Sequence, residues 1–320
     1  MNVPAKLGLY GVGLVVAFAG ALGAGTLTGP VLSGGPAAGA EGGGSGEGGH
    51  GGTGEPAAGE GPEAAAAPPG LQVSDGGYTL EPVAAPEKAG KEGELSFRIT
   101  GPDGEPVTGF RVEHEKRMHL IVVGRDTAGY RHLHPEMDAD GLWTVRTEFD
   151  TPGPYRMFAD FAPEGAEDGL VLGADVALPG DYEPEPLPGV RRVAEVDGYT
   201  VRLEGGLAAG GSGDLDFTVT KDGEPVDDLE PYLGAYGHLV ALRAGDLAYL
   251  HVHPHGEPGD GETEPGPEVR FSAEAPTPGD YRLFLDFKHG GKVRTAEFTA
   301  TAGGDAAGSG GGHGDDGHGH

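Results

Sequence analysis

Cysteine is absent from the 320-residue chain. Its absence excludes disulfides, thiolate metal sites, a cysteine nucleophile and a lipid-modified cysteine. Basic residues are scarce, since 21 Lys and Arg stand against 51 Asp and Glu, and the formal net charge is −30. Nothing in such a chain would neutralise phosphates, so we expect no nucleic-acid partner. The acidity itself favours solubility and attracts cations.

Large apolar side chains are missing from residues 34–70, which are rich in Gly, Ala, Glu and Pro. Such a segment cannot bury enough surface to offset the entropy of ordering, and we predict a disordered linker. The tail over residues 303–320, rich in His, Gly and Asp, is predicted to be disordered as well. The folded part then covers residues 71–302, which is enough for two small domains.

Charged side chains are missing between Lys6 and Glu41. The apolar part of this segment is long enough to cross a hydrocarbon layer of about 30 Å. We predict that residues 1–33 form a single-pass transmembrane anchor. A cleaved signal peptide is the alternative, because the small residues ALGAG could serve as its cleavage site. Both hypotheses place the rest of the chain outside the cytoplasm, either held at the cell membrane or secreted.

The folded part contains the same motifs twice, in the same order. TPGPYRMFADF at residues 151–161 returns as TPGDYRLFLDF at residues 277–287, and a segment ending in DGEPV precedes it in both copies. We predict a tandem duplication, with one repeat over residues 71–182 and the other over residues 183–302.

Each repeat is predicted to be all-β. Apolar and polar residues alternate in LSFRIT and in LDFTVT, and neither copy contains a convincing helical stripe. About seven short strands in roughly 105 residues are typical of an immunoglobulin-like β-sandwich, and a cupredoxin-like barrel is the alternative. We therefore predict two tandem immunoglobulin-like sandwiches that follow the transmembrane helix and the disordered linker.

A histidine-rich segment, HLIVVGRDTAGYRHLHP, begins at His119 and indicates a β-hairpin with its turn near Asp126. His132 and His134 share one face of the returning strand. The expected register sets His119 opposite His134, with Cβ atoms about 5 Å apart. Three imidazoles on one patch can hold a copper or zinc ion.

The second repeat contains the equivalent segment HLVALRAGDLAYLHVHP, with His238, His251 and His253. We predict that each repeat binds one metal ion through its three histidines. The histidine face also carries apolar residues and is expected to be buried, so the alternative is that the histidines are structural. The protein would then be a metal-free adhesion or scaffold module.

Asp160 and Asp286 occupy matching positions in FADF and FLDF, where a charge among aromatic side chains needs a partner. Each aspartate is a candidate metal ligand or a candidate for orienting a ligating histidine. An ion pair with Arg156 or Arg282 is the third possibility, and it is the favoured one. The sequence contains no phosphate loop, nucleophile elbow or obvious acid–base pair, so we expect binding and not catalysis.

With its HL…HLHP segments, its TPG-x-YR-x-F motif and its apolar N-terminal segment, the chain resembles heavy-metal-associated proteins of high-GC Gram-positive bacteria, which are secreted or membrane-anchored. More distantly, it resembles the immunoglobulin-like domains of the CopC and YtkA-like groups. The resemblance implies copper handling outside the cytoplasm, with zinc as the alternative metal. We expect sequestration or delivery of the ion, with the membrane and a copper transporter or metalloenzyme as partners.

Overall fold

The computed structural model describes residues 67–303. The predicted transmembrane anchor, most of the predicted linker and nearly all of the tail lie outside the described residues. Within residues 67–303, no helix is long and apolar enough to cross a membrane. The strands are β1 (Ser74–Asp75), β2 (Tyr78–Ala84), β3 (Glu92–Thr100), β4 (His119–Gly124), β5 (Arg131–Leu133), β6 (Glu136–Met137), β7 (Leu142–Glu148), β8 (Gly153–Phe161), β9 (Leu170–Leu178), β10 (Val193–Val196), β11 (Tyr199–Gly205), β12 (Gly211–Lys221), β13 (Glu224–Pro225), β14 (His238–Arg243), β15 (Val252–Pro254), β16 (Glu268–Ala275), β17 (Gly279–His289) and β18 (Lys292–Ala302).

The first repeat folds into two antiparallel sheets with the strand orders β1-β2-β3-β7-β6 and β5-β4-β8-β9. The second repeat forms the sheets β10-β11-β12-β16-β15, with β13 beside β12, and β14-β17-β18. In the first repeat, β2, β3, β7 and β6 match the A, B, E and D strands of an immunoglobulin sandwich, and β5, β4, β8 and β9 match C′, C, F and G. The predicted all-β class with two immunoglobulin-like sandwiches is therefore confirmed.

Each sandwich encloses a core of its own, to which alternate residues of β3 and β12 contribute. Burying one such side chain stabilises the fold by about 1.5–3 kcal/mol. The residues of LSFRIT and LDFTVT that face these cores are fully buried: Leu95, Phe97, Ile99, Leu215, Phe217 and Val219. The period of two in the sequence is thus the inward and outward alternation of a strand.

Both TPG motifs form the corner that leads into the strand equivalent to F. The hydroxyl of Tyr155 donates to the carbonyl oxygen of Thr151 at 2.8 Å, and that of Tyr281 donates to the carbonyl oxygen of Thr277 at 2.7 Å. This contact is the tyrosine corner of immunoglobulin-like sandwiches. It explains why the TPG-x-Y pattern occurs once in each repeat.

The two repeats pack against each other through the outer faces of β5-β4-β8-β9 and β14-β17-β18. Tyr130 stacks on Phe284 with ring centroids 4.0 Å apart. The ring centroids of the equivalent Tyr249 and of Phe158 are 5.7 Å apart. Each tyrosine thus contacts the equivalent phenylalanine of the other repeat, and this reciprocal pattern is typical of an approximate twofold relation between the repeats. The remaining residues of this inter-repeat core include Ile121, Val123, Val240, Leu242 and Leu247. Because β4 and β14 are buried on both faces, their sequences are continuously apolar.

The histidine segments of the two repeats have different strand partners. In the first repeat, β5 pairs with β4, and β6 forms a hairpin with β7. In the second repeat, β15 pairs with β16 of the opposite sheet. The sequence separation from His253 to Thr277 is 24 residues, whereas that from His134 to Thr151 is 17. The connection after the second histidine segment is therefore longer by seven residues.

Candidate metal centre

The β4–β5 hairpin brings the three histidines of the first repeat together. Leu120 pairs with Leu133, and this register sets His119 opposite His134, as the sequence predicts. The ring centroid of His119 lies 5.5 Å from that of His132 and 5.3 Å from that of His134. The centroids of His132 and His134 are 4.8 Å apart.

Two further groups come from the second repeat. His238 is the first residue of β14, and Asp286 lies opposite it on β17. The ring centroid of His238 is 4.7 Å from that of His132 and 5.7 Å from that of His119. Candidate ligand atoms of His119, His132 and His134 lie within 4.8 Å of one another, as do those of His132, His238 and Asp286. These five residues are called the inter-repeat cluster below.

A chain of hydrogen-bonding contacts runs through the inter-repeat cluster. The hydroxyl of Thr295 donates to Oδ1 of Asp286 at 2.5 Å, and Nδ1 of His132 lies 2.8 Å from Oδ2 of Asp286. Nε2 of His132 lies 3.2 Å from Nδ1 of His119, whose Nε2 lies 3.1 Å from the carbonyl oxygen of Glu113. The two histidines are therefore held between a carboxylate and a carbonyl.

The 3.2 Å contact between the two rings is satisfied when one of the two facing nitrogens carries a proton or when both bind a metal ion. If Asp286 is ionised, its carboxylate and the carbonyl of Glu113 only accept hydrogen bonds, so neutral His119 would carry its proton on Nε2 and neutral His132 on Nδ1. If both rings are neutral, the two remaining nitrogens direct lone pairs at each other. A proton or a metal ion removes this conflict. Two nitrogens at about 2.0–2.1 Å from one tetrahedral ion are about 3.3 Å apart, close to the distance between these two atoms.

Burial favours the neutral form of three of the four imidazole rings. It lowers the pKa of His119 to about 4 and that of His134 to about 3, and it lowers the pKa of His238 well below the usual value. Nε2 of His134 and Nδ1 of His238 are buried and have no hydrogen-bond partner among the described residues. Metal ions bind neutral imidazole, so these rings are in the protonation state that coordination requires.

The second predicted triad is not assembled. His238 lies in the inter-repeat cluster, whereas His251 and His253 are exposed and lie beside each other, with ring centroids 4.3 Å apart. The reason is the pairing of β15 with β16, which moves both histidines away from β14. The structure therefore brings together candidate ligands from both repeats at one place, and not one triad in each repeat.

The favoured ion pairs of the two aspartates are also not formed among the described residues. Arg156 binds an acidic residue of β9, and Arg282 binds one of β18. Asp286 instead pairs with His132. Asp160 lies in the equivalent position of the first repeat, and burial raises the pKa of its carboxyl group to about 7.

His114 is exposed, and its ring lies 6.0 Å from that of His119 and 6.3 Å from that of His238. His114 and Glu115 form the turn before β4 with φ values of 46° and 68°. Such values are uncommon for residues other than glycine and are found at ligand-binding sites. The comparison of the repeats could not reveal His114, because the second repeat has no equivalent histidine.

Solved structures that are similar to this chain include FdeC, described as an Escherichia coli adhesin, with 12% identity and a TM-score of 0.23 over 72% of this chain and 65% of that chain. A Salmonella alpha-2-macroglobulin mutant has 15% identity and a TM-score of 0.25 over 74% of this chain and 15% of that chain. A putative membrane anchored protein from Corynebacterium diphtheriae has 12% identity and a TM-score of 0.21 over 72% of this chain and 57% of that chain. The chain spans less than two thirds of each of these proteins, and the fold assignment rests on the strand order above.

No curated protein matches the chain. One domain family matches it twice, over residues 72–176 and residues 194–304, which together make up more than half of the sequence. The chain belongs to this family, which is described as Domain of unknown function (DUF8832), and contains two copies of its domain.

Proposed function

We propose that the protein binds one transition-metal ion between its two repeats and sequesters or delivers it outside the cytoplasm. Copper is the expected ion, and zinc is the alternative. The observation that carries the proposal is the 3.2 Å contact between Nδ1 of His119 and Nε2 of His132, whose lone pairs face each other in neutral rings. His134 and His238 add two buried nitrogens that have no hydrogen-bond partner among the described residues. The candidate ligand atoms of His119, His132 and His134 lie within 4.8 Å of one another, as do those of His132, His238 and Asp286, so His132 belongs to both sets.

Asp286 would orient a ligand in this site. Its hydrogen bond to Nδ1 of His132 leaves Nε2 for the ion and makes the ring a stronger donor, as in other carboxylate–histidine–metal arrangements. Thr295 holds the second carboxylate oxygen. Because the ligands belong to both repeats, the bound ion would also link the two sandwiches.

The predicted N-terminal anchor supports a location at the cell membrane, with the domains outside the cytoplasm. A secreted form after signal cleavage is the alternative. A protein held there would accept the ion and pass it to a copper transporter or a metalloenzyme.

The first test is a copper and zinc titration of the full chain by calorimetry. The C-terminal histidines could bind metal by themselves, so the titration uses a full chain with His313→Ser, His318→Ser and His320→Ser, called the tail variant below. We expect one tightly bound ion per chain. The sequence-based hypothesis of one ion per repeat would instead require two.

Single substitutions in the tail variant then locate the site. His132→Ala and His238→Ala are each expected to abolish tight binding, although they belong to different repeats. His251→Ala is the matched control, because this histidine belongs to the same segment type but lies outside the inter-repeat cluster. Equal loss in all three variants, or tight binding that survives His238→Ala, would refute a shared site.

The alternative function is a metal-free adhesion or scaffold module. In that case, a second proton on His132 would turn its contact with His119 into a hydrogen bond. An imidazolium donates from both nitrogens, here to Asp286 and to His119. Absence of tight metal binding in the titration, together with a doubly protonated His132 in nitrogen NMR at neutral pH, would support this alternative.

A further inference from the structure

A cleft of about 990 Å³ opens beside the inter-repeat cluster. His119 and His238 of the cluster line it, and so do His251 and His253, which the proposed site does not use. The cleft therefore connects a buried histidine group with an exposed one. His114 also lines it.

The approximate twofold relation between the repeats shows which residues of the first repeat correspond to the exposed pair, His251 and His253. His251 is the second-repeat equivalent of His132, and Asp160 is the first-repeat equivalent of Asp286. On one side of the axis, Asp286 and His132 are in contact, and both side chains are buried from solvent. On the other side, β15 pairs with β16, and His251 and Asp160 both line the open cleft. The duplicated motif thus occurs once as a buried site and once as an open one.

The buried site needs a route from solvent. The side chains of His132 and Asp286 are 3% and 2% exposed, and His119 is 5% exposed. Of the proposed ligands, only His119 and His238 line the cleft. An ion that arrives through the cleft would therefore meet these two rings first.

We propose that His251 and His253 form an open capture site for the incoming metal ion, and that the cleft leads the ion from this pair to His238 and His119. The inference rests on the proposed metal-binding function. Two adjacent exposed imidazoles bind a transition-metal ion while water completes its coordination, so the ion stays exchangeable. Five acidic and three basic residues line the cleft, and negative charge stays in excess even when the Asp160 carboxyl group is protonated, which favours entrance of a cation.

The test compares uptake rates in the tail variant with and without the double substitution His251→Ala and His253→Ala. Copper(II) and zinc uptake are followed by stopped-flow fluorescence, and equilibrium affinity is measured by competition with a chelator. We expect uptake to become about tenfold slower, because the incoming ion loses the two imidazoles that hold it in the cleft, and association rates of related variants differ by about one to three decades. The equilibrium affinity and the single bound ion should not change. His255→Ala is the matched control, because His255 is exposed in the same segment but does not line the cleft.

Each outcome has a distinct meaning. Slower uptake at unchanged affinity supports the capture site, and an unchanged rate overturns it while the buried site stands. A decrease from two bound ions to one in the double variant also overturns it, since the pair would then store an ion of its own. If the tail variant binds no metal at all, the proposed function and the capture site both fall.

Discussion

Nδ1 of His132 in the first repeat lies 2.8 Å from Oδ2 of Asp286 in the second repeat, although 154 residues separate them in the sequence. Both side chains are almost fully buried. A buried carboxylate without a partner is costly, so this contact ties the repeats together. It also determines which nitrogen of His132 remains available. The packing of one domain against the other would thus orient His132 for the proposed metal ion.

Replacing Asp286 with asparagine should weaken metal binding about 10- to 100-fold, the usual effect of removing a carboxylate that supports a ligating histidine. The amide fits the same space but lacks the negative charge that holds His132. Chelator competition with copper and zinc measures the loss. Asp160→Asn is the matched control, because this residue lies in the equivalent position of the other repeat, and its equilibrium affinity should equal that of the parent. A similar loss in both variants would contradict the assigned role of Asp286.

Metal binding should stabilise the folded protein, because the ligands come together only when both repeats are folded and packed. A ligand at 100 times its dissociation constant adds about 2.7 kcal/mol, which corresponds to a Tm increase of roughly 5–10 °C for a protein of this size. Calorimetric scans of the tail variant with metal, and then with excess chelator, measure this shift. His238→Ala should remove it. A shift that persists in this variant would place the stabilising ion elsewhere.

The sandwich fold and the first histidine triad could be predicted because both depend on local patterns. The alternation in LSFRIT identifies the buried side of a strand, and the length of the β4–β5 turn sets the register that joins His119 to His134. The contribution of His238 and Asp286 could not be predicted in this way. It depends on which outer faces of two separate sandwiches pack together, and the sequence alone does not determine that choice.

The prediction of the second triad was wrong for a different reason. The seven additional residues between His253 and Thr277 were visible in the sequence, because the repeats can be aligned. Their effect on the pairing of β15 could not be predicted. This strand can pair with either of two sheets, and tertiary packing decides between these pairings. Similar histidine segments therefore have different positions in the two repeats.

The tyrosine corners should stabilise their sandwiches without influencing the metal site. Tyr155→Phe and Tyr281→Phe each remove one hydroxyl that donates to a backbone carbonyl, so each should lower the free energy of unfolding by about 1–2 kcal/mol. Urea denaturation measures the change. Tyr78→Phe is the control, because the Tyr78 hydroxyl takes no part in a corner, and its loss should have little effect. Unchanged metal affinity in both corner variants would separate this role from that of the inter-repeat cluster.

The metal-free protein should lose stability as the pH falls from 7 to 5. Burial lowers the pKa of His119 to about 4 and that of His134 to about 3, while histidine in the unfolded chain titrates near pH 6.5. Below that pH, the unfolded state binds more protons than the folded state, so acid favours unfolding. For His119 alone, the loss is on the order of 3 kcal/mol once the pH has reached its folded-state pKa.

Asp160 has the opposite effect, and this makes the pH dependence testable in a second way. The pKa of its carboxyl group is raised to about 7, so the folded state binds this proton more tightly than the unfolded state does. The stabilisation that the protonated carboxyl group contributes is lost as the pH rises through that value. Asp160→Asn removes the opposing effect and should therefore steepen the loss of stability between pH 7 and 5. Urea denaturation of chelator-treated protein at several pH values measures both slopes. A flat profile in the parent, or a shallower one in Asp160→Asn, would contradict the assigned burial of these groups.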